Sequence, residues 1–173
     1  MIVILYKSKH GSTAKIGKVI NAYIGNCTLM NYQEIDYDVL SSCDTIVLGI
    51  PVYYGKLDME MVKFVKDNQE LLISKNYSIY VTALFYTEFM HYITSEFDYG
   101  ILRNVKAIAG LGGALYYPQL SIQEKMVLTV MNRRSPVIPK EHNDTLFENF
   151  NNEEIEIFAN KIKKIDENAK AAS

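Results

Sequence analysis

The feature that most restricts this chain is an alternation of two hydrophobic periods. Apolar runs rich in Val, Ile and Tyr recur at residues 2–6, 27–32, 45–50, 77–85 and 107–115. They are short and almost continuously apolar, so they read as strands buried on both faces. Between them apolar residues return every three or four positions: Ile16, Val19, Ile20 and Tyr23 within 13–24, and Met61, Val62, Val65 and Leu72 within 58–73. A third helical pattern covers 89–102, and a last one, 153–165, carries Ile155, Phe158, Ala159 and Ile162 as its inner stripe. Strands that alternate with helices form a parallel sheet, and right-handed crossovers leave few windings. The expectation is an α/β fold: a doubly wound, five-stranded parallel sheet of order 2-1-3-4-5 with helices on both faces. The chain reads as one domain over 1–173, with a frayed tail after residue 166.

In such a sheet, ligands lie beyond the carboxyl ends of the strands where the strand order reverses, here between the first and third strands. The loop after the first strand contains Ser8, Lys9, His10, Gly11, Ser12 and Thr13 and opens the first helix. Small hydroxyl residues and a glycine at a helix start can wrap a phosphate with backbone amides and hydroxyls. A plain helix cap by Ser12 or Thr13 explains the loop equally well when it is taken alone. Neither GxxxxGK[ST] nor GxGxxG stands at this position, which disfavours ATP and NAD. The later Gly110-Leu111-Gly112-Gly113 lies at the fifth strand and reads as a close-packing feature.

The loop after the third strand, Pro51, Val52, Tyr53, Tyr54 and Gly55, turns two adjacent rings outward at the same edge. Surface tyrosines are the plainer explanation of this loop by itself. A third loop adds Leu84, Phe85, Tyr86, Thr87 and Phe89. Three loops converging on one edge, one suited to phosphate and two rich in rings, favour a flat aromatic ligand that carries a phosphate.

At this point the sequence resembles the flavodoxin family over nearly its whole length. Ser8-x-x-Gly11-x-Thr13 is similar to that family's phosphate signature, and Tyr53-Tyr54-Gly55 stands where the family stacks an aromatic ring on the isoalloxazine. The resemblance implies noncovalent FMN as cofactor, chemistry on the flavin with no separate catalytic side chain, and Gly55 backbone near flavin N5.

Residues 116–142 are too long for an ordinary connection after the fifth strand. Gly113-Ala114-Leu115-Tyr116-Tyr117-Pro118 and the helix-like stretch 121–134 resemble the insertion of flavodoxin-type, menaquinone-dependent protoporphyrinogen IX dehydrogenases. That resemblance implies an oxidoreductase of haem biosynthesis with a quinone acceptor and a tetrapyrrole substrate. Lys125, Arg133 and Arg134 would then bind the substrate's propionates, and 121–134 would make a peripheral membrane contact. The alternative is an electron carrier docking on protein redox partners. The mildly acidic charge and the stretch 136–143 depart from those enzymes.

The net charge of −2 gives no global attraction to nucleic acid. The N-terminus runs directly into Ile2-Val3-Ile4-Leu5, too short for a signal peptide or span, so a cytoplasmic protein is expected. Cys27 and Cys43 read as buried free thiols, and no metal site is expected. His91 reads as a surface residue or a proton donor near substrate, and His142 lies in an acidic stretch, 141–156, with no partner at ligand spacing.

Overall fold

The structure, a computed structural model, describes residues 1–139 and 146–171. In chain order the elements are β1 (Ile2–Tyr6), α1 (Ser12–Ile24), β2 (Thr28–Asn31), α2 (Tyr37–Ser42), β3 (Thr45–Tyr53), β4 (Lys56–Leu57), α3 (Met59–Asp67), α4 (Gln69–Ser74) and β5 (Asn76–Thr82). They continue with α5 (Phe89–Glu96), α6 (Tyr99–Leu102), β6 (Ile108–Gly110), β7 (Gly112–Tyr116), α7 (Ile122–Arg134), β8 (Leu146–Phe150) and α8 (Asn152–Ala171). The main sheet runs β2-β1-β3-β5-β6, all parallel, with β4 added antiparallel to the end of β3. This is the expected doubly wound order with one extra strand.

The two-residue period of the strands splits the core. Val3, Leu5, Ile46, Leu48, Ile79 and Val81 face α3, α4 and α5, where Met61, Val65, Leu72 and Ile93 meet them. Ile2, Ile4, Val47 and Tyr80 point the other way, onto Ile16 and Ile20 of α1 and Ile155, Phe158 and Ile162 of α8. Tyr80 is fully buried, and its hydroxyl donates to the carbonyl of Thr13 at 2.9 Å. Gly49 leaves room for this ring, since a Cβ there would overlap it, and a Cβ at Gly17 would stand 3.1 Å from its hydroxyl. The start of α1, and with it the loop before it, is thereby fixed against the middle of the sheet.

Several elements differ from the sequence expectation. The expected fifth strand is two: β6 joins the main sheet, then the chain turns at Gly112 (φ 93°) and β7 leaves to pair antiparallel with β8. Gly112, Gly113 and Gly110 do serve close packing, because Cβ atoms there would run into backbone of Asn149, Ala83 and Tyr86. Residues 89–102 form two helices, because Asp98 caps the second by accepting from the Ile101 amide at 3.0 Å. Residues 58–73 break at Asn68 into α3 and α4. The six-residue α2, capped by Asp36 and burying only Leu40, is too short to show a period. The tail is helical to Ala171 rather than frayed after 166, since buried Asp166 accepts from the Thr45 hydroxyl at 2.8 Å and pairs with Lys170.

Among the described residues the insertion expected at 116–142 carries α7, and beyond it lies the strand β8, within the stretch 141–156 that reads as acidic. A satellite core of Phe85, Leu115 and Ile138, joined by Leu128, Met131 and Phe147, seats α7 above the sheet. His142 and residues 140–143 of the divergent stretch lie outside the described residues.

Candidate functional site

The loop 8–13 leaves β1 at the carboxyl edge and enters α1 through Gly11, whose φ of 86° is left-handed and whose side offers no contact to an added Cβ. Gly11 is the N-cap and, having no side chain, caps nothing. The amides of Ser12 and Thr13 open the helix and have no intrahelical acceptor. The alternative reading of this loop, a cap by Ser12 or Thr13, is therefore not what the structure has, and the positive end of α1 faces the loop interior. Ser8 Oγ accepts from the Ala14 amide at 3.4 Å and keeps its proton to donate. Ser12 Oγ accepts from the Ala114 amide at 3.2 Å, which ties the loop to β7.

Tyr53 and Lys56 pair across a two-residue hairpin in which Tyr54 (φ 53°) and Gly55 (φ 74°) both have positive φ. Such a turn follows the strand twist but is rare with a tyrosine in it. The two rings are thereby separated. Tyr53 lies inward, its hydroxyl accepting from the Lys9 amide at 2.8 Å and its ring edge-on to His10, and burial pushes its pKa up. Tyr54 stays exposed at the mouth.

These loops bound one pocket of about 110 Å³, partly open to solvent. Ser8, His10, Ser12 and Thr13 line one end; Pro51, Val52, Tyr53, Tyr54 and Gly55 form one wall; Leu84 and Phe85 form another. Further lining residues come from places the sequence reading did not use: Thr82, Ala83, Tyr92, Gly113 to Leu115, and Leu120, Glu124, Val127, Leu128 and Met131 of the insertion. The hydroxyls of Thr82 and Tyr92 are buried and have no hydrogen-bond partner among the described residues. Buried hydroxyls are nearly always partnered, so two orphans beside one pocket are a feature a polar ligand would satisfy.

Glu124, an acidic residue of the pocket lining, contacts the loop. Its side chain is only 8% exposed. Oε2 accepts from the Ser121 amide at 2.8 Å, completing a capping box, while Oε1 takes Lys9 Nζ at 2.9 Å and His10 Nε2 at 3.5 Å. Burial pushes this carboxyl up, but the Ser121, Lys9 and His10 donors outweigh it and hold the pKa at about 2.

The structure brings together most of the expected cofactor residues and separates others. Lys9 is a rim residue on Glu124, outside the lining. Tyr86, Thr87 and Phe89 do not line the pocket: the Tyr86 carbonyl and Phe89 pack on Gly110, and Thr87 is exposed. Lys125, Arg133 and Arg134 are absent from the lining as well. Lys125 lies over the Tyr117 ring at 4.6 Å, and both arginines are exposed, because the face of α7 turned inward carries Glu124, Val127, Leu128 and Met131. His91 is exposed on α5. Cys43 is buried, Cys27 is only partly so, and burial raises both thiols, Cys27 to about 11. Among the described residues no three His, Cys, Asp or Glu side chains are grouped to hold a metal. No described helix is long and apolar enough to cross a membrane.

A parallel α/β sheet with a helix-start loop and a ring-lined crevice at its switch point defines the class of nucleotide-cofactor proteins. The flavodoxin domain family matches residues 3–136, and the chain belongs to that family, which binds FMN. A flavodoxin of Clostridium saccharobutylicum is 34% identical over 74 residues, which are 40% of this chain and 46% of that protein. The match thus spans less than half the relative's length. Among solved structures, a short-chain flavodoxin associated with a non-canonical PDU bacterial microcompartment is similar with a TM-score of 0.56 at 15% identity, covering 96% of this chain and 99% of that one. The flavodiiron protein of Giardia intestinalis gives 0.54 at 9% identity, covering 98% of this chain and 36% of that chain. At these identities the likeness shows the fold.

Proposed function

We propose that this chain is an FMN-dependent oxidoreductase acting on a flat, apolar electron donor. The observation that carries this reading is the position of α7: Val127, Leu128 and Met131 wall the pocket opposite Tyr54 and Gly55. In this reading the Ser12 and Thr13 amides and the Ser8 hydroxyl hold the FMN phosphate, and the Tyr54 ring stacks on the isoalloxazine. The Thr82 and Tyr92 hydroxyls meet polar atoms of the ring system, and the Gly55 backbone faces N5. Bound FMN supplies one- and two-electron redox chemistry. The apolar side chains of α7 exclude water and favour a hydrophobic substrate over a protein partner.

The resemblance of the insertion to that of protoporphyrinogen IX dehydrogenases names the first candidates, protoporphyrinogen IX as donor and a quinone as acceptor. Lys125, Arg133 and Arg134 then act outside the pocket, at its rim, on carboxylates that protrude. The exposed Ile122, Met126 and Val130 beside these cations suit a peripheral membrane contact of an otherwise cytoplasmic protein. A second reading, a carrier that docks on redox proteins, is favoured by the ring of Tyr54, 46% exposed at the mouth. Anaerobic assay of the FMN-loaded protein separates them. Protoporphyrinogen oxidation with a quinone acceptor supports the enzyme. Failure with every quinone, together with fast exchange with ferredoxin-type proteins, supports the carrier.

A further inference from the structure

Helix α7 buries a single residue, and that residue is charged: Glu124. Ile122, Met126 and Val130 lie exposed on its outer side, so its apolar hold comes from the partly buried inner side chains, Leu128 and Met131 among them. A helix held by so little buried surface belongs to the easily opened part of a fold. What fixes it at the loop end is ionic. With Oε2 engaged by Ser121, Oε1 faces Lys9 and His10, both members of the loop assigned to the phosphate. At the other end the Met131 thioether sits 3.7 Å from the point a Gly55 Cβ would occupy, across the place where the flavin ring must lie. The pocket of about 110 Å³ is narrow where Met131 approaches Gly55, so an outward shift of α7 widens the ring site.

We propose that α7 is a lid latched onto the phosphate loop by Glu124, and that a cofactor phosphate competes with the Glu124 carboxylate for Lys9 and His10. The inference rests on the reading of loop 8–13 as the phosphate site. Two anions sharing the same donors in a partly buried space repel one another, so binding of one weakens the other. Lys9 is half exposed on a flexible stem and can transfer between them. Glu124 is thus a positioning residue. It closes the apolar wall over the ring site, and its release accompanies cofactor loading.

The test measures FMN and riboflavin affinities by flavin fluorescence quenching, and amide hydrogen exchange in α7, for the parent and Glu124→Gln. Removing the charge should raise the ratio of FMN to riboflavin affinity roughly tenfold, a typical coupling between two ligands, because lid release helps both ring systems and only FMN also loses the competing carboxylate. In the parent, inorganic phosphate should speed exchange in α7 relative to chloride of equal ionic strength. In Glu124→Gln, exchange should be fast in both. An unchanged or reduced preference for FMN in Glu124→Gln overturns the competition, and α7 exchange indifferent to that substitution overturns the latch. Equal parent affinities for FMN and riboflavin would instead remove the phosphate reading itself, while the exchange arm still judges the latch. Lys9→Gln provides the second variant if Glu124→Gln folds poorly. It should also free α7, and unaltered exchange there counts against the latch.

Discussion

At the scale of single residues, two buried polar side chains set the geometry of the site. Tyr80 holds the Thr13 carbonyl and fills the slot left by Gly17 and Gly49. Tyr80→Phe should cost about 1 kcal/mol, the net value of one buried hydrogen bond, and lower the thermal midpoint by roughly 2–4 °C. Gly49→Ala forces a methyl into the ring and should cost roughly 1–3 kcal/mol in denaturant unfolding. Glu124 carries a pH signature. Its folded pKa of about 2 lies below the ordinary 4.5, so the latch stabilises fully above pH 4.5 and its contribution fades as pH falls toward 2. The difference in thermal midpoint between the parent and Glu124→Gln should shrink across that window, and a difference independent of pH would contradict the assignment. Glu124 had a readable local signal, since Ser121 three residues before it spells a capping box. That its second oxygen reaches a loop 114 residues away in sequence is visible only in the fold. For the two tyrosines the sequence offered no means of choosing between inward and outward rings. The structure leaves Tyr54 the free one, so Tyr54→Ala should weaken FMN binding and relieve fluorescence quenching, while Tyr53→Phe should mainly loosen the loop at Lys9.

At the scale of elements, the insertion is where local pattern and final structure part most. The β7–β8 hairpin depends on Gly112, whose positive φ and contact with Asn149 exclude a side chain. Gly112→Ala should destabilise the protein by roughly 2–3 kcal/mol through strain and overlap, and limited proteolysis should then cut within the insertion first. The fifth strand read as continuous because 107–115 is apolar throughout. The break comes from backbone torsion at one glycine, which hydrophobic periodicity does not report. β8 was missed because only one side of its hairpin is covered, which leaves Leu146–Phe150 with a mixed polar pattern. Replacing residues 121–136 with a short Gly/Ser linker should retain FMN, since the loops at 8–13 and 51–55 are anchored elsewhere. The same deletion should remove oxidation of an apolar donor, as measured by anaerobic single-turnover reduction.

At the scale of the molecule, the strands' burial on both faces fixed the layers before any contact was known: Val3 and Leu5 to one side, Ile2 and Ile4 to the other. Continuous apolar runs joined by amphipathic helices admit little besides a doubly wound sheet, so strand order and the position of the ligand edge followed from sequence. The glycine turn at Gly11 that opens α1 was legible too, since a left-handed residue ahead of a helix favours glycine. The assignment of Lys125, Arg133 and Arg134 to the substrate did not survive as a pocket contact. Charge along a helix says which residues it carries but not which face it turns inward, and here the satellite core of Phe85, Leu115 and Ile138 sets that rotation. The orphan hydroxyls of Thr82 and Tyr92 are likewise unreadable in a linear chain, for their lack of partners is a property of everything packed around them. What the sequence determined by itself is whatever depends on neighbours a few positions apart: strand, helix, turn and cap. The covered pocket, the reach of Glu124 to Lys9 and His10, and the inward face of α7 were decided by tertiary packing, because each depends on contacts between residues far apart in the chain.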